Sequence, residues 1–528
     1  MPFIFERVAT FLFWMVAVLL VTGGVHFNSQ SAKIEISQID PFSIPLMVLL
    51  LWQWKSQKKI PQSISKKWNR FTELLSQNSR ATLFGAFTLY VLVYSILQTV
   101  RYDSFNASAF DLSYVGQAIW STLHGAGFLH SDICRGGTYL GEHFSPILSV
   151  LSPFMKIWDS IYFLFILQSI LLGSASLFVY KLARIKKIPE KTSLILALCA
   201  LLYHPLRAAN SFYLREDNFF IPVFFSLLLF LELKNWTLFW ISALFSFLIK
   251  ENAPLFTLMI GFWIALTRKN RIQGFILIFI SVFAFWLINT KLTPIFSGPQ
   301  NRTMLVQRLP QFGSTNQEIL LTLLSKPHLV LAEFVKIFLA KDSLYYLLAV
   351  LAPFICFIRK PIFPFLIACA RITLNLIMNA NKIGYHYECI LIPFLFYSLI
   401  QSVSTKELGA QQSFLLLLSF LLFFGRSPID DIRRQWPTDR DRWVAGELRR
   451  IPAEATVSAQ FVIHPHLIQR KSISIISEDF STDYIVADLA PHRSRFGNEN
   501  LESMLSKIDP SKYEKLVEQD SFTLWKRK

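Results

Sequence analysis

The sequence predicts an all-α polytopic membrane protein of about 13 transmembrane helices, followed by a small C-terminal α/β domain outside the membrane. Three observations predict this class. Of the 528 residues, 53% are hydrophobic and 50 are Phe, while only 16% are charged. The apolar residues gather in runs on the scale of a bilayer, and Lys and Arg gather between the runs. The net charge of +17 is therefore read as topology and not as a nucleic-acid footprint, because no single basic face carries it. Five cysteines occur without a C-x-x-C pair, and Cys199, Cys356 and Cys369 fall in apolar runs. Neither a metal nor a disulfide is expected there.

A hydrocarbon core of about 30 Å takes roughly 20 apolar residues per helix, fewer where polar ends snorkel. Spans are expected near 8–25, 42–54, 81–99, 161–180, 192–204, 219–231, 237–249, 253–266, 272–289, 343–358, 362–380, 389–403 and 412–424. The first is read as a retained helix, since "GGVHFNSQ" offers no small-x-small cleavage site. Residues 55–80 carry Lys55, Lys58, Lys59, Lys66, Lys67, Arg70 and Arg80 against the single acid Glu73, so this loop is expected in the cytoplasm. The basic stretches at 181–191, 267–271 and 359–361 then share its side. Strict alternation puts 101–160, 205–218, 250–252, 290–342 and 381–388 on the opposite, outer side. Within 290–342, "HLVLAEFVKIFLA" has the spacing of a helix lying in the interface.

Three regions follow: 1–80, two additional N-terminal transmembrane helices and a cytoplasmic basic loop; 81–425, the transmembrane core with outer loop 101–160; and 426–528, a soluble extracytoplasmic α/β domain. In the last, "TVSAQFVI", "SISIIS", "DYIVADL" and "FTLW" read as strands, and 439–450 and 499–507 as helices. No phosphate-binding glycine pattern or internal repeat occurs there.

The polar clusters that carry candidate chemistry belong to the outer set. In "FDLSYVGQAIWSTLHGAGF", residues 110–128, Leu112, Val115, Ala118, Ile119, Thr122 and Leu123 share helical spacing, with Ser113, Gln117, Ser121 and His124 on another face. The pattern predicts a helix along the membrane surface with Asp111 as its N-cap. Such an aspartate accepts the free amides of the first turn. A carboxylate desolvated by Phe105, Phe110 and Trp120 also suits a general base or metal ligand. The loop continues with His130, Asp132, Arg135, Glu142 and His143. The spacing of His124, His130 and His143 matches no standard zinc pattern, so interfacial hydrogen bonding is their expected role. Arg215, Glu216 and Asp217 of "YLREDNFFIP", Lys250 and Glu251 of "IKENAPL", and Tyr385, His386 and Glu388 of "KIGYHYECILIP" stand at other outer boundaries. Ionisable groups at such depth need partners or an aqueous cavity.

These motifs, with "GEHFSPILSVLSPF", "ATVSAQFVIHPHLIQR" and "DYIVADL", resemble in order those of the bacterial predicted membrane proteins of domain of unknown function 2079, over roughly residues 81–495. The first two spans stand outside the pattern. That family is similar in architecture to the GT-C glycosyltransferases, which use polyprenyl-phosphate sugars at the outer face of the membrane. The likeness implies a general-base or acceptor-positioning role for Asp111. Leu112 replaces the second carboxylate common in those loops.

The resemblance implies an inner-membrane enzyme, N-terminus in the cytoplasm and tail in the periplasm or extracellular, that moves a sugar from a polyprenyl-phosphate donor to an acceptor. Arg215, Lys250, Arg101 and Arg135 would neutralise the donor phosphate. Glu142, His143, Glu216, Asp217 and His386 would contact sugar or a divalent metal, which stays open as a cofactor. Gln117, His124, Glu251, Tyr385 and Glu388 complete the expected substrate surface. Membrane lipids are the expected partners and nucleic acid is not. The rival readings are a carrier or flippase of a lipid-linked or anionic solute, against which no paired halves are seen, and a non-enzymatic assembly protein.

Overall fold

A computed structural model describes residues 2–28, 33–57, 60–267, 270–298, 306, 309–355, 357–358, 363–403, 407–477, 480–490 and 500–528. Cys356 and the basic-loop positions 58–59, 268–269 and 359–361 lie outside the described residues. Every predicted span coincides with a helix. Helix length does not support about 13 crossings, however. Among the described residues, Ser79–Asp103, Ile161–Ile185 and Arg271–Ser297 are long and apolar enough to cross a membrane. Glu190–Leu202 and His204–Asn210, bent by 49°, make a fourth if they act as one span. Most of the other helices in the apolar runs are short, Pro2–Thr22 with 21 residues and Asp40–Gln57 with 18 being the exceptions. Trp236–Ser246 and Ile392–Ser402 have 11 residues each, about 16 Å at 1.5 Å per residue. Prolines and polar turns interrupt the apolar runs: Pro205 sits in the first turn after the bend, where its ring cannot continue the preceding hydrogen-bond ladder.

The predicted interfacial helix forms as Pro327–Leu339, with none of its side chains buried. A two-stranded antiparallel ribbon, β1 (Val25–Asn28) and β2 (Lys33–Ile36), was not expected between the first two helices.

The C-terminal region forms a five-stranded sheet of order β4-β3-β5-β7-β6, with β3 Val457–Ala459, β4 Ile473–Ile475, β5 Tyr484–Asp488, β6 Tyr513–Gln519 and β7 Phe522–Arg527. β3 runs parallel to β4 and β5, and β7 antiparallel to β5 and β6. Four strands fall on the predicted segments. β6, "YEKLVEQ", was missed because it is an edge strand whose side chains mostly face solvent, so its charges hide the alternation.

This sheet is docked on the loop after Ser79–Asp103. His466 is stacked between Tyr102 and Phe105, both ring centroids 4.1 Å away. Phe105 holds a left-handed φ of 55°, a conformation disfavoured for a bulky side chain. Its ring is thereby delivered to the His466 face and to a core shared with Val457, Val462 and Ile463. His464 Nδ1 lies 3.0 Å from Ser113 Oγ, and the Ile473 amide donates to Asp132 at 2.7 Å. The helix Tyr114–Leu123 is consequently buried on both faces, Gln117 and Ser121 included. The sequence reading laid this helix along the membrane surface; the loop 128–140 and the tail cover Ser113, Gln117 and Ser121 of its polar face, and His124 stays exposed.

Candidate functional site

Arg215, Glu216 and Asp217 occupy the entry to the helix Phe220–Glu232. The Arg215 amide donates to Asn218 Oδ1 at 2.8 Å, closing a 3₁₀ turn over Glu216–Phe219 that turns both carboxylates inward. Lys250 comes from the turn between Trp236–Ser246 and Ala253–Thr267. Its Nζ lies 2.7 Å from Glu216 Oε1 and 2.6 Å from Asp217 Oδ2. All three side chains are buried, so one ammonium serves two carboxylates in a medium where an unpaired charge is costly. Tyr139 Oη donates to Glu216 Oε2 at 2.5 Å, and Arg215 Nε stands 3.7 Å from the same oxygen. His386 Nε2 is 3.5 Å from Asp217 Oδ2.

The two acids separate electrostatically. Burial works against the charge of Glu216, yet Lys250 and then Arg215 hold its carboxyl well below the usual range. Burial raises Asp217 despite Lys250, with the negative Glu216 adding to the rise. Burial, with Arg215 and Lys250 beside it, keeps the His386 imidazole neutral. Glu251 is satisfied next door: His143 Nδ1 lies 3.0 Å from it and the Phe144 amide donates at 3.2 Å.

Asp111 stands at the edge of this network. It is not the N-cap that the sequence suggested. The helical backbone begins two residues earlier, as a π turn over Ala109–Ser113 with Ser108 at the cap position. Asp111 is its third residue, accepting a short hydrogen bond from Ser108 Oγ. Burial raises its carboxyl, with Ser108, Arg215 and Arg101 pulling the other way. Arg215 also donates to the Phe110 carbonyl at 3.4 Å, so one guanidinium links the Asp111 turn to Glu216. Arg101 closes the other side, 5.2 Å over the Tyr213 ring. Asp111, Arg215–Asp217, Lys250–Glu251 and His386 are thus brought to one place from four separate stretches of chain.

Other expected residues are engaged elsewhere. Gln117 accepts from Ser131 Oγ and the Asp132 amide and holds the loop shape. His124 pairs with Asp159 at 3.0 Å, and His130 with Asp132 at 2.9 Å. With His143 on Glu251, the three histidines go to three different carboxylates. Among the described residues no group of three or more His, Cys, Asp or Glu is placed to hold a metal ion. Arg135 and Glu142 pair with each other, the Arg135 amide donating to Glu142 Oε1 at 2.9 Å. Tyr385 is partly exposed and packs on Phe212.

The predicted membrane proteins of DUF2079 match residues 101–523. The chain belongs to the DUF2079 family. No curated protein matches it. The match covers all four stretches of the cluster and reaches into β7. It leaves the first hundred residues outside.

Within this DUF2079 chain, sequence reasoning missed Tyr139 and Arg371. Tyr139 looked like one more aromatic of the loop, yet it is fully buried against Glu216. Arg371 is a lone arginine inside an apolar run, a signal that was available: an intramembrane cation calls for a partner. It is buried in Phe363–Ile377 and its Nη2 reaches the Tyr387 carbonyl at 3.4 Å. Nearby, Glu388 is fully buried, with the Tyr346 hydroxyl beside its carboxyl. Burial pushes it up to about 8, with Arg371 opposing.

Proposed function

We propose that this predicted membrane protein is a GT-C type glycosyltransferase of the inner membrane, taking a sugar from a polyprenyl-phosphate donor at the periplasmic side. The observation that carries the reading is the half-buried carboxylate of Asp111 next to Arg101 and Arg215, braced from behind by the Glu216–Asp217–Lys250 network. In this reading the acceptor hydroxyl oxygen attacks the anomeric carbon as its proton passes to Asp111. The bond from that carbon to the phosphate oxygen breaks, and the polyprenyl phosphate leaves with the negative charge. A desolvated carboxyl with a raised pKa is a better base near neutrality than an exposed one. Arg101 and Arg215 meet the charge on the departing phosphate. Lys250 is committed to two carboxylates, so it holds the Arg215 turn in place and does not touch donor. The short helices of the core fit the proposal in which several cross only part of the bilayer around the site.

The test uses purified full-length protein and a radiolabelled polyprenyl-phosphate sugar. Wild-type protein releases polyprenyl phosphate, at a rate that rises with pH through an inflection above the ordinary aspartate value of 3.8. Asp111→Asn, at an unchanged level in the membrane, loses the release by about 10²-fold or more, the scale of a general base. Full activity in that variant removes Asp111 from the mechanism. Uptake of a lipid-linked solute into liposomes without any release assigns the protein as a carrier instead.

A further inference from the structure

The N-terminal helices and the core border an apolar cavity of about 860 Å³ that no residue of the acidic cluster lines. Phe13 and Trp14 line it on one side, Ala86 and Leu89 along the helix Ser79–Asp103, and Leu198 and Leu417 on the other. Pockets of this size, apolar with few polar groups, are the usual form of a ligand site. Its cations are unequal. At one end each guanidinium nitrogen of Arg207 donates a hydrogen bond, to Tyr94 Oη at 3.0 Å and to the carbonyls of Phe424 at 2.9 Å and Arg426 at 3.0 Å. At the other, Lys67 is exposed over the Trp14 ring, 5.0 Å from its Nζ, and Lys191 has an Asn69 oxygen at 3.2 Å and Glu407 at 3.5 Å.

Lys67 lies on the amphipathic helix Gln62–Ser76, which buries Ile64, Trp68 and Thr72. Trp68 Nε1 donates to Ser413 Oγ at 2.9 Å. The rest of the helix carries Lys66, Lys67 and Arg70 beside exposed Phe71 and Leu74, the composition of a helix seated at an anionic lipid surface. We infer that the cavity holds the acyl chains of an anionic glycerophospholipid of the surrounding bilayer, with its phosphate at Lys67 and Lys191. Charge complementarity selects the occupant: a basic pocket between helices suits an anionic headgroup, and the apolar walls suit hydrocarbon. Phe13, Trp14, Lys67 and Ala86 precede residue 101, where the family match begins, whereas Lys191, Leu198 and Leu417 fall within it; the site forms where the preceding segment meets the shared core, and it does not rest on the transferase reading.

The experiment titrates delipidated full-length protein with phosphatidylglycerol and with phosphatidylcholine, and counts bound lipid by native mass spectrometry. Wild-type protein is expected to hold phosphatidylglycerol at least tenfold more tightly. Lys67→Gln/Lys191→Gln is expected to erase that preference, and Ala86→Trp, which fills the cavity, to lower occupancy by both lipids. Equal binding of the two lipids by wild type overturns the inference. So does an unchanged preference in the double lysine variant, unchanged occupancy in Ala86→Trp, or co-purification of an isoprenoid phosphate in place of a glycerophospholipid.

Discussion

Replacing Lys250 by Met leaves two buried carboxylates without the ammonium they share. Glu216 keeps Tyr139 at 2.5 Å and Arg215 at 3.7 Å, whereas Asp217, among the described residues, keeps the neutral His386 at 3.5 Å and the more remote charge of Arg371. The penalty therefore falls on Asp217. Breaking a buried pair by removing one partner costs about 3–5 kcal/mol. Protonation sets a ceiling on that figure: lifting a carboxyl from its ordinary 3.8 to neutral form at pH 7 costs about 4 kcal/mol at about 1.36 kcal/mol per pH unit. At pH 5 the same step costs about 1.6 kcal/mol. The variant's folded pKa is raised above its unfolded value, so the lost stability grows as pH rises above that unfolded value and shrinks as pH falls. Reversible unfolding in mixed detergent micelles, followed by tryptophan fluorescence at pH 5 and pH 7, should show a deficit about twice as large or more at pH 7. Adding Asp217→Asn should return most of it, a coupling that a double-mutant cycle reads directly. A deficit below about 1 kcal/mol at pH 7, or one that ignores pH, refutes the argument that Lys250 is the chief counter-charge of this site.

Two further perturbations bear on neighbouring parts. Glu388, pushed up to about 8 against an ordinary 4.5, stays protonated in the fold, so its contribution is full below pH 4.5 and is lost as pH rises toward 8. Glu388→Gln should flatten that slope and raise the melting temperature at pH 8.5; an unaltered slope in thermal scans from pH 5 to 8.5 would show that its burial carries no such cost. His466→Ala removes one ring and with it two stacking contacts at 4.1 Å, each contributing about 0.5–1.5 kcal/mol beyond its buried area. Amides of β3, β4 and β5 should then exchange faster with deuterated solvent, and unchanged protection would mean that the tail is held elsewhere.

The helices were legible because each is an apolar run, and the chemistry-bearing residues because charges at the ends of such runs are expensive without a reason. Periodicity and charge alone thus determined the class of protein, the place of the helices in the apolar runs, four of the five C-terminal strands and the stretches from which the polar cluster is drawn; the amphipathic helix Gln62–Ser76 was read as part of a basic loop. They did not determine partners. That Lys250 pairs with Glu216 and Asp217, that Arg215 serves both Asp111 and Glu216, and that His466 closes over Tyr102 and Phe105 are long-range contacts between segments tens to hundreds of residues apart. The helix cap was misplaced for a related reason: the π turn at Ala109–Ser113 is a backbone solution imposed by the packing of its surroundings, which no local preference of Asp111 encodes. Sequence specifies which groups must find a counter-charge or a cover; only the folded arrangement decides which one each finds, because burial in a low-dielectric interior, not spacing along the chain, sets the cost of every alternative.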